Sequence, residues 1–337
     1  MKVFAAAAGL ACMLMPVSSA ISQTPTTGEQ ASAPAPVAVQ QVMVGDPGEQ
    51  MVLVIWHPTP SPQAIPGAAA EVSGEGLPLV IVSHGTGAGP LAHVDTAQAL
   101  ASAGFVVAAP MHRGDNFQDD SKVGRPDWMA SRSRDVAQAI DYMVQQWPGR
   151  THLDGNRVGI FGFSAGATAA LIAAGGVPEL DRVGPHCAAQ RELVCDIMVP
   201  ATGSPDAQPP RWVHDSRIGA IVIAAPGLGF AFEPAGLAGV QVPVQMWVGS
   251  ADDIVPYASN GAVVRRLLPQ PADFHSIDGA GHLSFLAPCT AETPPQFCSE
   301  RNGFDRSVFP ARLNRSVSDF FRQHLGGSPA PANAGTR

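Results

Sequence analysis

A succession of short apolar runs, each followed by a longer stretch of mixed character, does most to limit what this chain can fold into. Residues 77–82, 104–110, 157–161, 242–248 and 273–277 are rich in β-branched and small apolar side chains and too short for helices. The stretches between them are long enough for helical crossovers. Strands joined in that way run parallel, and such crossovers are right-handed. Two earlier strands, near 37–44 and 50–57, are separated only by the turn Asp46-Pro47-Gly48 and are expected to form an antiparallel hairpin. The predicted order is strand, strand, strand, helix, strand, helix, strand, helix, insertion, strand, strand, helix, strand, helix. This describes an α/β domain with a mostly parallel central sheet, helices on both faces and an antiparallel N-terminal hairpin. Ligands of such sheets bind beyond the carboxyl ends of the strands.

One of those carboxyl ends carries Gly162-Phe163-Ser164-Ala165-Gly166, between an apolar run and the helix-forming stretch at 167–174. A G-x-S-x-G pentapeptide in a strand–turn–helix setting is a nucleophile elbow, where flanking glycines let strand and helix backbones approach. Taken alone, the same serine would also fit as the N-cap of a Gly/Ala-rich helix. A nucleophilic serine needs a base, an orienting carboxylate and two N–H donors for the oxyanion. The run at 242–248 leads into Gly249-Ser250-Ala251-Asp252-Asp253, and the run at 273–277 leads into Asp278-Gly279-Ala280-Gly281-His282. Serine, acid and histidine thus follow in the chain order of sheet-based hydrolases. The run at 77–82 ends in Ser83-His84-Gly85-Thr86-Gly87, so the backbone N–H groups of Thr86 and Ala165 are the expected oxyanion donors.

These segments resemble the α/β-hydrolase superfamily, and within it the bacterial predicted dienelactone hydrolase group. That group is itself similar to platelet-activating-factor acetylhydrolase and to secreted polyester hydrolases. The resemblance rests on the elbow and on several further segments. Gly45-Asp46-Pro47 with residues 52–58 matches the hairpin, and Ser83-His84-Gly85-Thr86-Gly87 matches the oxyanion loop. Residues 104–110, His112-Arg113-Gly114-Asp115-Asn116 and Arg134-Asp135-Val136 match the strand, loop and helix start that follow. It spans roughly residues 40–325. Dienelactone hydrolases use a cysteine nucleophile, whereas this elbow holds Ser164, which favours a serine esterase. The resemblance also implies Asp252 as the triad acid, leaving Asp253 to cap a helix beginning near Tyr257.

Among the other histidines, His84 is expected to hold its loop by hydrogen bonds and His275 to be structural. His112, His93 and His57 lie near strand ends and are expected along the pocket edge. No pair has the spacing of a zinc site, so neither metal nor cofactor is expected. The pocket should be shaped by the 112–127 loop, the insertion at 177–216 and the loop after Gly227. Phe117, Trp128, Trp212, Phe230, Phe232 and Phe285 are candidate liners, although aromatic residues are as often core.

Residues 1–20 read as a signal peptide, with Lys2, an apolar run and the small-residue site Ser18-Ser19-Ala20. Its apolar run is too short to span a bilayer. Residues 21–40 read as a flexible linker, 41–325 as the hydrolase domain and 326–337 as a disordered tail. Export would remove Cys12 and leave Cys187, Cys195, Cys289 and Cys298. An even number in an oxidising compartment suggests two disulfides, the sequence-local pairs being the simplest of three connectivities; buried free thiols are the alternative. The first pair would stiffen the insertion as a cap and the second would pin the loop after His282. A net charge of −8 with few charged residues argues against nucleic acid and anionic membranes as partners. The expectation is therefore a monomeric serine hydrolase, periplasmic or extracellular, acting on a small-molecule or lipid-like ester. A phospholipid acetyl group, a lactone or a polyester would suit the same triad. The rival class is a non-catalytic binding protein of the same fold.

Overall fold

The computed structural model describes residues 35–60, 71–198, 210–291, 293–298 and 304–326. Strand β1 (Val37–Val44) and β2 (Met51–Pro58) form the hairpin. Then β3 (Leu77–Ser83) leads to α1 (Val94–Ser102), β4 (Val106–Pro110) to α2 (Trp128–Gln145), and β5 (Leu153–Phe163) to α3 (Ala165–Ala173). The insertion holds α4 (Val183–Ala189) and α5 (Leu193–Ile197). After it come β6 (Ile218–Ala224), α6 (Pro234–Leu237), β7 (Val244–Gly249), α7 (Gly261–Leu267), β8 (Asp273–Ile277) and α8 (Phe309–Leu325). All eight strands join one sheet in the order β1-β2-β4-β3-β5-β6-β7-β8. Pairing is antiparallel between β1 and β2 and also between β2 and β4, and parallel elsewhere. This is the mostly parallel α/β arrangement expected. Two boundaries differ from or escape the sequence reading. β1 begins at Val37, inside the stretch assigned to a linker. The signal segment, most of the linker, residues 199–209 of the insertion and the tail from 327 lie outside the described residues.

Period-two alternation along the strands sorts side chains between two cores. Leu53, Ile55, Leu79, Ile81, Ile160, Ile221 and Met246 pack on the face that carries α2 and α3. Their neighbours Val54, Trp56, Val80, Val82, Phe161, Val222 and Trp247 pack on the face that carries α1 and α8. Each such side chain, fully buried, contributes about 1.5–3 kcal/mol relative to exposure. Because β3, β5, β7 and β8 are parallel, their carboxyl ends share one edge of the sheet. Thr86, Ser164, Asp252 and His282 all lie just beyond those ends.

Candidate active site

Strand β5 passes into α3 through Ser164 alone, which adopts φ 55° and ψ −120°. A positive φ is costly for a residue with a Cβ, about 1–3 kcal/mol, and persists only where the surroundings enforce it. Here Ser164 N–H donates to the Ala224 carbonyl at 2.9 Å, and Ala167 N–H donates to the Ser164 carbonyl at 3.0 Å. The flanking glycines are required by contact. A Cβ on Gly162 would fall 2.3 Å from the Gly166 carbonyl oxygen, and one on Gly166 would fall 2.0 Å from that of Ser83. Ser164 occupies the N-cap position but makes no side-chain cap bond, so the plain helix-cap reading does not hold.

Its hydroxyl donates instead to His282 Nε2 at 3.0 Å, and His282 Nδ1–H donates to Asp252 Oδ2 at 2.8 Å. An ionised carboxylate only accepts, which leaves Nδ1 protonated and Nε2 open to the serine. The other carboxylate oxygen of Asp252 accepts the N–H groups of Ile254 at 3.1 Å and Val255 at 2.8 Å, fixing its orientation. Neighbouring Asp253 is exposed, and α7 starts only at Gly261, so Asp253 does not cap a helix near Tyr257. A second serine–histidine–aspartate chain exists. Ser83 Oγ bonds His112 Nε2 at 2.8 Å, and His112 Nδ1 lies 3.4 Å from Asp135 Oδ2. All three are fully buried, and none lines the cavity that Ser164 borders. That chain ties strand ends together and has no access to a substrate.

The loop after β3 is braced from beneath by Arg132 of α2. The guanidinium donates to the His84 carbonyl at 2.6 Å, to the Gly85 carbonyl at 3.1 Å and to Asp115 Oδ2 at 2.6 Å. His84 Nδ1–H also donates to the Gly85 carbonyl, at 2.7 Å. In a trans peptide the carbonyl and the next N–H point in opposite directions. Pinning the Gly85 carbonyl toward Arg132 therefore turns the Thr86 N–H away from it. The following amide is withdrawn, since Gly87 N–H donates to Asp115 Oδ1 at 2.8 Å. Asp115 also accepts the indole N–H of Trp128. Burial alone would push the Asp115 carboxyl up; the Arg132 charge and these hydrogen bonds overcome it and hold the carboxyl below its usual range. Gly85 lies against the elbow, where a Cβ would come 3.4 Å from that of Ser164. Ala165, first residue of α3, has no carbonyl four residues back within its own helix for its N–H.

Thr86, Ser164, Ala165 and His282 border a single cavity of about 1100 Å³. Of the aromatic residues expected there, Phe117 and Trp128 line it. Phe232 and Phe285 are buried in the two clusters that flank the sheet, while Phe230 is buried in, and Trp212 packs beside, a third cluster formed by α2, α3 and the insertion. Phe163 and Phe297 line it unforeseen. The three shaping segments contribute as expected, through Gln118, Leu193 and Leu228 among others. The expectation for the strand-end histidines is corrected. His57, His93 and His112 are all buried and none reaches the cavity. His57 packs on Trp147, His93 edges Phe161 and Phe163, and His112 holds Ser83. His84 holds its own loop, and His275 stacks on Trp247 at 4.0 Å.

Burial pushes the His93 imidazole down to about 3. It also lowers His84 and His112, with the nearby Arg132 charge acting in the same sense. These rings are neutral in the fold, but in the unfolded chain they protonate near 6.5. Their contribution to stability is complete above pH 6.5 and is lost as pH falls toward the folded-state values, by up to about 1.4 kcal/mol per pH unit for each ring. The melting temperature is therefore expected to fall between pH 6.5 and 4.5, with a shallower fall in His93→Phe. A flat thermal-melt profile over that interval would refute this linkage.

Both sequence-local disulfides are present, Cys187–Cys195 and Cys289–Cys298. The first links α4 to α5, whose Leu193, Val194 and Ile197 line the cavity. Glu192, inside that loop, accepts from Asn260 Nδ2 at 2.9 Å and from the Ser259 hydroxyl, tying the insertion to the turn before α7. The second closes the loop that brings Phe297 to the cavity. Among the described residues no helix is long and apolar enough to cross a membrane, and no group of acidic, histidine or cysteine side chains is arranged to hold a metal ion.

The model of the dienelactone hydrolase family matches residues 65–194, a span that includes the Thr86 loop and the elbow but ends before Asp252 and His282. Among solved structures, dienelactone hydrolase from Anabaena variabilis superposes with a TM-score of 0.51 at 18% sequence identity, covering 86% of this chain and 99% of that one. Comparison with curated proteins gives no match. Together with the strand order and the elbow, these likenesses identify an α/β-hydrolase fold of the dienelactone-hydrolase kind.

Proposed function

We propose that the protein is a serine hydrolase that cleaves carboxylic esters through an acyl-enzyme. The observation that carries this reading is the unbroken hydrogen-bonded line from Asp252 through His282 to Ser164, ending in a cavity. Ser164 Oγ attacks the ester carbonyl carbon as its proton passes to His282 Nε2. The carbonyl oxygen takes up negative charge and is held by the N–H groups of Thr86 and Ala165, each such donor being worth about 3 kcal/mol. Collapse breaks the bond to the alcohol oxygen, which leaves with the proton from His282. Water, deprotonated by the same imidazole, then attacks the acyl carbon and restores Ser164. Asp252 keeps the imidazole in the useful tautomer and stabilises its cation.

The α4–α5 insertion serves in this reading as a cap over the site. Two disulfides favour an oxidising compartment, periplasmic or extracellular, in keeping with the signal-like residues 1–20. The net charge of −8 favours a protein that acts on small or lipid-like esters without nucleic acid as partner. The test is covalent. A fluorophosphonate probe should modify the native protein at Ser164, located by peptide mapping, and labelling should vanish on heat denaturation. Absence of an adduct, or an adduct on another serine, would count against the reading.

A further inference from the structure

Large apolar side chains left exposed by a soluble fold are ordinarily scattered, and a contiguous group marks a contact surface. Here, among the described residues, most of them gather at one opening. Val39, Leu91, Phe117, Leu193 and Phe297, between 41% and 66% exposed, all border the Ser164 cavity. They come from separate segments: β1, the turn before α1, the loop between β4 and α2, α5, and the second disulfide loop. Local sequence pressure on one element cannot account for such convergence. The cavity behind them is larger than a typical small-molecule pocket of about 300–1,000 Å³.

Among the described residues, charge is nearly absent from this surface: besides His282, the ionisable residues that border the cavity are Glu192 and Arg306. Both are engaged within the protein. Glu192 bonds Asn260 and Ser259, and Arg306 donates to the carbonyls of Phe297 at 2.6 Å and Ala287 at 2.8 Å. A charged ligand would have to compete with these bonds. An anionic surface would in addition meet a chain of net charge −8.

We propose that the cavity takes a bulky, uncharged, apolar ester, and that the apolar collar seats its mouth on an aggregated phase of such esters. Substrate then passes from that phase to Ser164 with little exposure to water. A second copy of the chain on the collar would block the entrance, whereas an ester phase supplies it. The proposal rests on the ester-hydrolase reading for what happens at Ser164, but seating does not depend on the chemistry.

Adsorption is therefore measured on the full chain carrying Ser164→Ala, by flotation with an emulsion of the neutral triester tributyrin. Phosphatidylglycerol vesicles serve as the anionic comparison. The protein is expected to float with tributyrin and to stay in solution with the vesicles. Adding Leu91→Ser, Phe117→Ser and Leu193→Ser should weaken adsorption by about tenfold or more, since each removes exposed apolar area. Adding Met43→Ser, Val177→Ser and Val308→Ser instead removes exposed apolar residues that do not border the cavity and should leave adsorption unchanged. Thermal melts check that both triple variants are folded.

Several results would overturn the proposal: no adsorption to tributyrin, equal loss in the two triple variants, or stronger adsorption to phosphatidylglycerol. A dimer in solution that the collar variant alone dissociates would also overturn it, assigning the collar to a second copy. Because adsorption is read on a protein lacking Ser164, its failure is distinct from failure of the hydrolase reading, which is decided by the fluorophosphonate adduct.

Discussion

Ser164→Ala is expected to lower kcat for p-nitrophenyl acetate and butyrate by about ten-thousand-fold or more, with the melting temperature little changed. The fold should survive because alanine keeps the Cβ and the backbone bonds that enforce φ 55° at this turn. What is lost is the hydroxyl that donates to His282 Nε2 at 3.0 Å. Residual turnover would come from the amide donors acting on bound ester and water. The acid can be separated by the same assay. Asp252→Asn should cost activity nearly as severely, because an amide at that position can favour the wrong imidazole tautomer. Asp253→Asn, at an exposed carboxylate, should stay within about twofold, as surface substitutions usually do. Retained turnover in Ser164→Ala would sink the mechanism. Equal effects at the two aspartates would sink the assignment of the acid.

The second large effect is expected at a residue that never touches substrate. Arg132→Lys preserves a cation for Asp115 but replaces a planar fork with a single ammonium. That group cannot hold Asp115 and the carbonyls of His84 and Gly85 at once. The Gly85–Thr86 peptide is then free to turn, and its N–H leaves the position proposed for the oxyanion donor. Loss of one such donor lowers kcat by about 100- to 1,000-fold, with KM nearly unchanged, since the donor matters most in the transition state. The affinity of a phenylboronic acid, whose adduct on serine is tetrahedral, should fall by a similar factor. A brace that only supported the fold would lower the melting temperature without this kcat-against-KM split. Asp115→Asn is the harsher change, because it leaves Arg132 buried without its counter-charge, at a cost of about 3–5 kcal/mol. If it does not fold, Arg132→Lys still decides the point.

The relay was legible in the sequence because each part of it is written locally. Gly162 and Gly166 bracket Ser164 at the spacing the turn requires, and Asp252 and His282 each follow an apolar run in polar or glycine-rich loops. The brace was not legible as a unit. Asp115 and Arg132 stand seventeen residues apart, on a loop and a helix that meet only in the folded protein. A partial sign was present, since Trp128, Arg132 and Asp135 follow helical spacing and place polar groups on a face that α2 buries. The strand-end histidines show the converse limit. Position near a strand terminus places His57, His93 and His112 close to the active edge of the sheet. Which way each ring turns is decided by packing against Trp147, Phe161 and Ser83. Phe230, Phe232 and Phe285 went to the interior for the same reason, leaving the mouth to Phe117 and Phe297.

Both disulfides sit wholly outside the sheet, and none of the four cysteines belongs to the line from Asp252 to Ser164. The covalent ties hold the doorway, and the noncovalent core holds the machinery. A chain made under reducing conditions would thus be expected to assemble the same sheet and the same line from Asp252 to Ser164, while Leu193 and Phe297 hung from slack loops. Two preparations that titrate identically with an active-site label would then differ in how they handle an ester emulsion, and the redox history of the sample would be the reason.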